Sequence, residues 1–434
     1  MNAASCNKYL RIGLLVLKHG LILATLFCFM WFDTSAQATA PIQITWLANT
    51  PQSPHAIAGP IQQWYSSRIE TWAKRHPDVK LQVEYLGTDI NLGMTQLQER
   101  VAAGRAPDVA SIDSFFLPRF FDQLQPLDPY VRDVDDFMPF VRRGMRGPDG
   151  KLKALWVNTD VRALFYRKDL VPRPPKTWDE LLALAPGLRK NDVIPYVFTG
   201  GRGEASVMDH LPMLWTQGGR LISADGKPVF GEGTNREALI QILTFLRKTI
   251  VSGASPVRVV SFRSEADMYP DILRGNVAMF LGGSWIPKQL HDLGDKAEWS
   301  MAAIPMRSAA GPYTVAGGWT YGVFTSDPAK QRLIVDFVNF VAASPDAMIG
   351  AVTAQGNLPT RISVADSKAP YLQMVTTKAA VDMLPAARAR DTAAIYPTVS
   401  ANLQVAIADV ISGQESPEAA IDHAFHDVQR QVAK

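Results

Sequence analysis

The chain has 434 residues, enough for two domains of ordinary size, and its 47% hydrophobic and 20% charged content is that of a globular protein. A total of 44 basic and 41 acidic residues gives a net charge of +3, and the absence of basic runs argues against a nucleic-acid-binding protein.

The first 40 residues have the layout of a secretory signal peptide. Three basic residues precede an apolar run over 20–32, and the small residues that follow carry Ala-x-Ala patterns. The apolar run is short for a transmembrane helix, so an uncleaved anchor is the weaker alternative. We therefore predict a leader over 1–40 that is cleaved after Ala38 or Ala40.

Both cysteines of the chain, Cys6 and Cys28, lie inside this predicted leader. The bulky Phe27 before Cys28 argues against a lipoprotein cleavage site. The mature chain would contain no thiol and would carry 41 basic against 40 acidic residues, a net charge of +1. A protein free in the periplasm of a Gram-negative cell fits this pattern best.

The first part of the mature chain alternates between strand and helix patterns. Strands are predicted over 41–47 and 79–85 and before Asp113, and helices over 59–76 and 92–104. This order predicts a parallel α/β sheet with crossover helices. Asp113 falls where such a strand ends, a position that serves either a ligand or the start of a helix, and both interpretations stand.

The stretch 156–170, WVNTDVRALFYRKDL, places polar residues before a short buried strand. Asp160 lies at the mouth of that strand, where a carboxylate either caps a turn or faces a ligand. Further along, the glycine-rich TGGRGE at 199–204 lacks the spacing of phosphate-binding loops, and we reject that function for it.

Two tryptophans follow paired glycines near the ends of predicted strands. Trp285 comes after Gly282 and Gly283, and Trp319 comes after Gly317 and Gly318. Glycine pairs allow the backbone to approach another group closely. One such tryptophan is more often a core residue, but two in the same setting favour a binding wall.

The sequence lacks the motifs of common enzymes. It contains no H-E-x-x-H or G-x-S-x-G pattern, and the predicted mature chain has no cysteine nucleophile. His423 and His426 fit an exposed helical face better than a metal site. We expect no catalytic residue, metal or cofactor, although carboxylate counts leave a secreted glycoside hydrolase open.

Several segments, in order, resemble the sugar-binding proteins of ABC importers, within the extracellular solute-binding superfamily. They are GRAPDVASID, WVNTDVRALFYRKDL, PPKTWDEL, RGNVAMFLGGSW, GGWTYGVF, DFVNFVAAS and QGNLPTR. The resemblance is closest to the trehalose- and maltose-binding branch, because GGW and RARDTAAIYP also match it. Together these segments cover nearly the whole predicted mature chain.

This resemblance implies a class II periplasmic-binding-protein-like α/β fold, with two lobes, a hinge and a cleft between the lobes. The expected lobes are 41–157 with 308–356 and 158–307 with 357–434. It also implies a monomer that captures a sugar, such as maltose or trehalose, and delivers it to a membrane permease with its ATPase. Another solute on the same fold, such as a glycerol phosphodiester or a polyol, is the alternative.

The resemblance also implies a set of binding residues. Asp113 and Asp160 would accept hydrogen bonds from sugar hydroxyls, and Arg390 would donate to the sugar. Trp285 and Trp319 would cover the apolar faces of the pyranose rings, close to the Gly318 backbone. Asn158, where that branch often has an aromatic residue, and Glu204 complete the predicted set. A phosphate would need two or more converging cations, and with Arg390 alone in place a neutral sugar is favoured.

Overall fold

The structure, a computed structural model, describes residues 40–87, 90–308, 313–391, 393 and 395–432. The predicted signal peptide lies outside these residues except for Ala40, and so do both cysteines. Residues Ile42–Lys434 belong to one compact unit, which contains all the elements below.

The strands within the described residues fall into three sheets. In chain order they are β1 (Ile42–Ala48), β2 (Val79–Tyr85), β3 (Val109–Asp113), β4 (Ala154–Trp156), β5 (Arg162–Arg167), β6 (Ile194–Val197), β7 (Val277–Gly283), β8 (Trp299–Ala302), β9 (Thr314–Ala316), β10 (Trp319–Val323) and β11 (Ala387–Ala389).

Helices surround these sheets and fill most of the last third of the chain. They are α1 (Gly59–Arg75), α2 (Ile90–Ala102), α3 (Pro139–Gly144), α4 (Trp178–Arg189), α5 (Glu204–Met208), α6 (Leu211–Thr216), α7 (Gly233–Val251), α8 (Tyr269–Leu273), α9 (Ile286–Asp292), α10 (Pro328–Val338), α11 (Pro345–Gln355), α12 (Ile362–Ala365), α13 (Val375–Met383), α14 (Tyr396–Ser412) and α15 (Pro417–Val432).

Helix boundaries follow the local sequence chemistry. The Thr177 hydroxyl accepts a hydrogen bond from the Glu180 amide at 3.2 Å, and the Glu180 carboxylate accepts one from the Lys176 amide at 2.6 Å. The first bond satisfies an amide that the first turn of α4 leaves without a helical partner, and the second ties the preceding residue to that turn. At the end of α11, Gly356 adopts a left-handed conformation with φ 81°, which a glycine tolerates without strain.

The first sheet has the strand order β2-β1-β3-β10-β4. β1 pairs in parallel with β2 and β3, as the alternating pattern of the first part of the chain predicts. β10 then inserts antiparallel between β3 and β4, although it comes from much later in the chain. The start of β10 therefore lies beside the end of β3.

The second sheet has the order β6-β7-β5-β8. β6 and β7 are parallel, whereas β5 runs antiparallel to both β7 and β8. The start of β5 and the ends of β6 and β7 consequently meet at one edge. In each sheet, the strand ends that carry predicted site residues therefore lie together at one edge.

Three segments run side by side between the two sheets. Thr159 and Leu358 exchange two backbone hydrogen bonds of 2.8 Å. The Val157 amide donates to the Trp319 carbonyl at 3.0 Å, and the Thr159 hydroxyl donates to the Gly317 carbonyl at 2.9 Å. The passages through 157–161 and 314–319, where the chain leaves one sheet for the other, are therefore tied to each other by hydrogen bonds, and 157–161 is also tied to the segment 357–361.

After residue 357 the chain first packs with the first sheet and its helices, and it does not pass directly to the second sheet. Val364, Tyr371 and Leu372 are buried in the hydrophobic cluster that contains Trp46 and Phe337 of the first half. The predicted boundary at 356/357 separates these residues from the core in which they pack. Their packing favours a boundary after about residue 374, and the division into lobes by residue number stays a prediction.

Within the described ranges, no single helix combines the length and apolar content of a membrane span. The bent pair Pro328–Ala343 and Pro345–Gln355, with an angle of 52° between its parts, passes the same criterion of length and composition when taken together.

Arg361 anchors this late segment to the first core. Its side chain is almost completely buried, donates to the Ala343 carbonyl at 2.6 Å and to Asp136 at 3.0 Å, and lies over the Phe137 ring. Substitution R361M should lower the free energy of unfolding by about 2–4 kcal/mol, because it removes charged hydrogen bonds from a buried site. Chemical denaturation measures this loss.

Arg142 provides the matched control. It pairs with Asp135, whose side chain is fully exposed, and the pair is 3.0 Å apart. Substitution R142M should therefore cost less than about 1 kcal/mol. Equal losses in the two variants would contradict the anchoring role of Arg361.

Candidate functional site

A cavity of about 550 Å³ lies where the edges of the two main sheets face each other. Its volume is within the range of small-molecule sites. Its lining includes seven of the eight predicted site residues: Asp113, Asp160, Glu204, Trp285, Gly318, Trp319 and Arg390. The structure thus brings together residues that are far apart in the sequence.

The first sheet places Asp113 and Trp319 next to each other, because the two residues are partners in the register of β3 and β10. Asp113 also accepts a hydrogen bond from the Phe115 amide at 3.0 Å. Both interpretations of Asp113 are therefore compatible with the geometry: its carboxylate supports the turn after β3 and also faces the cavity.

Gly318 holds the loop before Trp319 in a conformation open to few other residues. Its φ is 131°, and a Cβ atom at this position would lie 2.0 Å from the Asn158 carbonyl oxygen. A side chain here would therefore be both strained and obstructed. The glycine lets the loop lie directly against the crossing segment at 157–161.

The second sheet supplies the opposite wall from strand ends that meet at one edge. Arg162 opens β5 and pairs in register with Gly283 at the end of β7. Trp285 follows β7 directly, and its ring lies 4.6 Å from the Arg162 guanidinium carbon. Glu204 follows the loop after β6 and begins α5. The antiparallel pairing of β5 with β7 and the parallel pairing of β6 with β7 thus bring these three side chains close together.

Arg390 connects the two walls. It follows β11, which pairs in parallel with β9, so that Arg390 comes beside Gly317. Its guanidinium donates to Asp113 at 2.9 Å and to Glu204 at 3.1 Å. Burial lowers the pKa of Arg390, but the two carboxylates outweigh this effect and raise it, so the residue is permanently charged.

Glu204 is held by further donors. Its carboxylate accepts hydrogen bonds from the hydroxyls of Tyr396, at 2.9 Å, and Ser400. Two residues of α14 therefore orient Glu204 toward Arg390. The predicted polar contact from Glu204 to a ligand would have to share a carboxylate that already has three donors.

Arg162 lies on the cavity floor among three carboxylates, and sequence analysis did not identify it. It hydrogen-bonds to Glu265 and lies 3.4 Å from Asp209 and 3.8 Å from Asp160. Burial lowers the pKa of Arg162, but these neighbours outweigh the burial and raise it. Burial also raises the pKa of Asp209 well above the usual range of a carboxyl.

Asp160 is the carboxylate least satisfied by the protein itself. Its Oδ1 atom is buried and accepts no hydrogen bond from the described part of the chain. Burial raises the pKa of Asp160 to about 6, although Arg162 and Arg390 act in the opposite direction. A buried polar atom without a partner is costly, so a donor from a ligand would be stabilising here.

The structure does not bring Asn158 to the cavity, contrary to the prediction. Its side chain is 1% exposed, donates to Gln355 at 2.7 Å and accepts from the Trp319 amide at 3.0 Å. The side-chain amide of Asn158 points into the protein, so its hydrogen bonds hold the loop before Trp319 and do not reach a ligand. Asn158 fixes the position of Trp319.

Sequence analysis also missed polar residues at the two rims of the cavity. Asn49, Gln52, Asn91 and Asn357 line it from the first half, and Arg202 and Arg263 line it from the second. Such residues are common in loops and follow no motif. Arg202 does belong to TGGRGE, whose glycines marked it as an unusual loop.

Within the described residues, no group of three or more histidines, cysteines or acids is arranged to hold a metal ion. Asp113 and Glu204 are instead directed at Arg390 and, for Glu204, at hydroxyl groups.

A family model of bacterial extracellular solute-binding proteins matches residues 58–348. A binding protein of Brucella abortus (strain 2308) is 27% identical over 267 residues, which cover 58% of this chain and 60% of the relative. The chain thus spans about 60% of the length of that relative. An arabinooligosaccharide-binding protein of Bacillus subtilis (strain 168) is 23% identical, over 71% of this chain and 72% of the relative.

Among solved structures, the maltose-bound MalE3 of T. maritima superposes with a TM-score of 0.76 at 21% identity. The match covers 90% of this chain and all of the other, and it establishes a shared two-lobe α/β fold. The predicted fold class is thereby confirmed.

The burial of Asp160 predicts a dependence of stability on pH. A raised pKa means that the folded protein binds this proton more tightly than the unfolded chain between about pH 4, the ordinary value, and pH 6. The stability contributed by the protonated form is present at low pH and is lost as the pH rises through this window. In D160N, the loss of unfolding free energy between pH 4 and pH 8 should be smaller than in the wild type by about 2–3 kcal/mol.

Chemical denaturation across this pH range measures the effect. D179N is a suitable control, because it removes one negative charge from an exposed position on α4 rather than from the cavity. Superimposable pH curves for D160N and the wild type would contradict the burial of an ionisable Asp160.

Proposed function

The chain belongs to the bacterial extracellular solute-binding proteins, which are binding proteins rather than enzymes, and from this we propose that it captures a sugar for an ABC importer. The proposed ligand is an α-linked di- or oligosaccharide, with maltose and trehalose as the first compounds to test. The observation that carries the proposal is the cavity, where two tryptophans and two carboxylates from different sheets face one another.

These residue types suit a pyranose. The sugar ring has C–H-rich faces that an aromatic side chain can cover, and its hydroxyl groups need polar partners at the rim. Trp285 and Trp319 are half-buried at the cavity, and Asp160 offers an acceptor that has no donor within the described chain. The arabinooligosaccharide-binding and maltose-bound relatives support a sugar as the ligand class.

Closure of the two lobes is the proposed mechanism of capture. The three hydrogen-bonded segments between the sheets are the proposed hinge, since two of them, 157–161 and 314–319, carry the chain from one sheet to the other. A ligand that contacts Asp113 or Trp319 on one side and Trp285 on the other makes its full set of contacts only when the lobes are shut. It therefore shifts the population toward the closed form by its differential affinity.

We place the mature protein in the periplasm after cleavage of the predicted leader. The closed, loaded form would be recognised by the membrane subunits of the importer. The proposed working state is a monomer without metal or cofactor.

A different solute on the same fold, such as a glycerol phosphodiester or a polyol, is the second candidate. The glycerol phosphodiester is favoured by one observation, the two exposed arginines Arg202 and Arg263 that line the cavity and that sequence analysis did not identify. A thermal-shift screen of residues 41–434 against mono- and disaccharides, glycerol phosphodiesters and polyols distinguishes the two. Chromogenic glycosides in the same panel would reveal any hydrolysis.

Substitution of either tryptophan should weaken sugar binding more than it weakens the fold. W285A and W319A should each reduce the affinity for the best sugar of the screen by about 1–3 kcal/mol, through the loss of a stacked aromatic surface. Their cost in stability should stay well below the 3–5 kcal/mol typical of a core tryptophan, because one face of each ring borders the cavity. Calorimetric titration and thermal melting provide the two measurements.

W46A is the core reference, because Trp46 is 0% exposed between the first sheet and its helices. This variant should lose stability without a specific loss of affinity in the fraction that remains folded. If W285A and W319A melt as low as W46A and still bind the sugar normally, the two rings belong to the core and not to the binding wall.

The hinge mechanism predicts a change of overall size. The radius of gyration from small-angle scattering should decrease when the protein is saturated with its sugar, because the lobes approach each other. The same samples titrated with a sugar that does not bind serve as the control. An unchanged radius at demonstrated saturation would exclude capture by lobe closure.

A further inference from the structure

Two arginines lie together at the rim of the cavity, on the side of the second sheet. We call Arg202 and Arg263 the arginine rim. Both line the cavity and both are exposed, and Nε of Arg263 donates to the Arg202 carbonyl at 3.4 Å. The two residues come from separate loops, 198–203 and 262–264.

Glycines allow these loops to lie directly against each other. The Gly201 amide donates to the Phe262 carbonyl at 2.8 Å, and a Cβ on Gly201 would come within 2.7 Å of that oxygen. A Cβ on Gly203 would lie 1.8 Å from the Arg263 carbonyl oxygen. Because neither glycine has a side chain, the backbones touch and both arginines project from the same place.

The other arginines of the cavity are already neutralised. Arg390 is held between Asp113 and Glu204, and Arg162 has three carboxylates around it. Their side chains are only 4% exposed. Neither has a charge left for a ligand.

The arginine rim is different. Arg202 has one acidic neighbour, Asp409, at a distance of 3.4 Å, and its side chain stays 61% exposed. Arg263 forms no ion pair with any residue of the described ranges. The nearby Asp267 is engaged instead by the amides of Arg263 and Ser264, at 2.8 and 2.9 Å.

The opposite rim has a different character. Asn49, Gln52 and Asn357 line the cavity there, and their side chains make no hydrogen bond to the described part of the protein. Amides both donate and accept, as sugar hydroxyls require. One side of the cavity therefore suits hydroxyl groups, and the other offers two exposed arginines with a single paired carboxylate between them.

We propose that the ligand is an acidic saccharide, whose hydroxyl groups face the amide side and whose anionic group is bound by Arg202 and Arg263. This inference rests on the proposed function and specifies its substrate class. A guanidinium donates two parallel N–H groups, which match a uronate carboxylate or the oxygens of a phosphate ester. Neutral maltose and trehalose would then be weak ligands.

The test uses sugars that differ only in their charge. Calorimetric titration of the mature protein compares galacturonate with galactose, glucuronate with glucose, and the di- and trisaccharides of galacturonate and galactose. Glucose 6-phosphate and inorganic phosphate form separate arms. At least one acidic sugar should bind about 10-fold or more tighter than its neutral partner, and added salt should reduce the difference.

The double variant R202Q/R263Q should abolish the preference for the acidic sugar over its neutral partner. The control R105Q/R332Q removes the same net charge from two exposed arginines outside the cavity. It should keep the preference for the acidic sugar.

Each other outcome has a defined meaning. A preference for the phosphate ester over the uronates would retain the anionic class and identify phosphate as its source. Neutral sugars that bind as tightly as the acidic ones would overturn this inference and leave the proposed function standing. Binding of inorganic phosphate alone would overturn it as well, and no binding by any sugar would overturn both proposals.

Discussion

The ion pairs of Arg390 are the interaction on which the shape of the site depends. One buried guanidinium joins Asp113, at the end of a strand in the first sheet, to Glu204, at the edge of the second. Removal of Arg390 would leave Asp113 and Glu204 without their shared buried counter-ion, a change that costs several kcal/mol. The two walls are therefore positioned relative to each other by electrostatics as well as by packing.

The charged residues around Arg162 differ from the Arg390 ion pairs, because not all of their carboxylate oxygens have a hydrogen-bond donor. Asp160, Asp209 and Glu265 surround a single Arg162, so the acids exceed the bases on the cavity floor. Burial is the main cause of the raised pKa of Asp160, and Asp113 and Glu265 add smaller contributions in the same direction. A hydroxyl donor placed at the free oxygen of Asp160 would lower the cost of that burial, so part of the binding free energy would come from the relief of an unfavourable site in the empty protein.

Local sequence patterns were sufficient to predict the parallel start of the first sheet, the strand that ends at Asp113 and the strand before the glycine pair 282–283. They also brought attention to Trp285, Trp319 and Asp160, because glycines and carboxylates at strand ends are unusual enough to notice. Asn158 was misassigned because a polar residue beside a predicted ligand position can equally turn inward, and only the position of Gln355 decides which.

Arg162 and the arginine rim could not be predicted for a different reason. The role of Arg162 follows from acids at 209 and 265 that only the tertiary fold brings near it. Arg202 and Arg263 lie about 60 residues apart and meet through backbone contacts between two loops. Contacts of either kind produce no periodic pattern and no motif with fixed spacing in a single sequence.

The central place of β10 has a consequence for the order in which the protein folds. Its partner β3 precedes it by more than 200 residues, and β4 precedes it by more than 160. Loop-closure entropy makes such a distant pairing slow, and on the ribosome it must wait for most of the chain. The first sheet therefore starts to form early but is completed late, because β3 and β4 have no common partner strand until residues 319–323 have been synthesised.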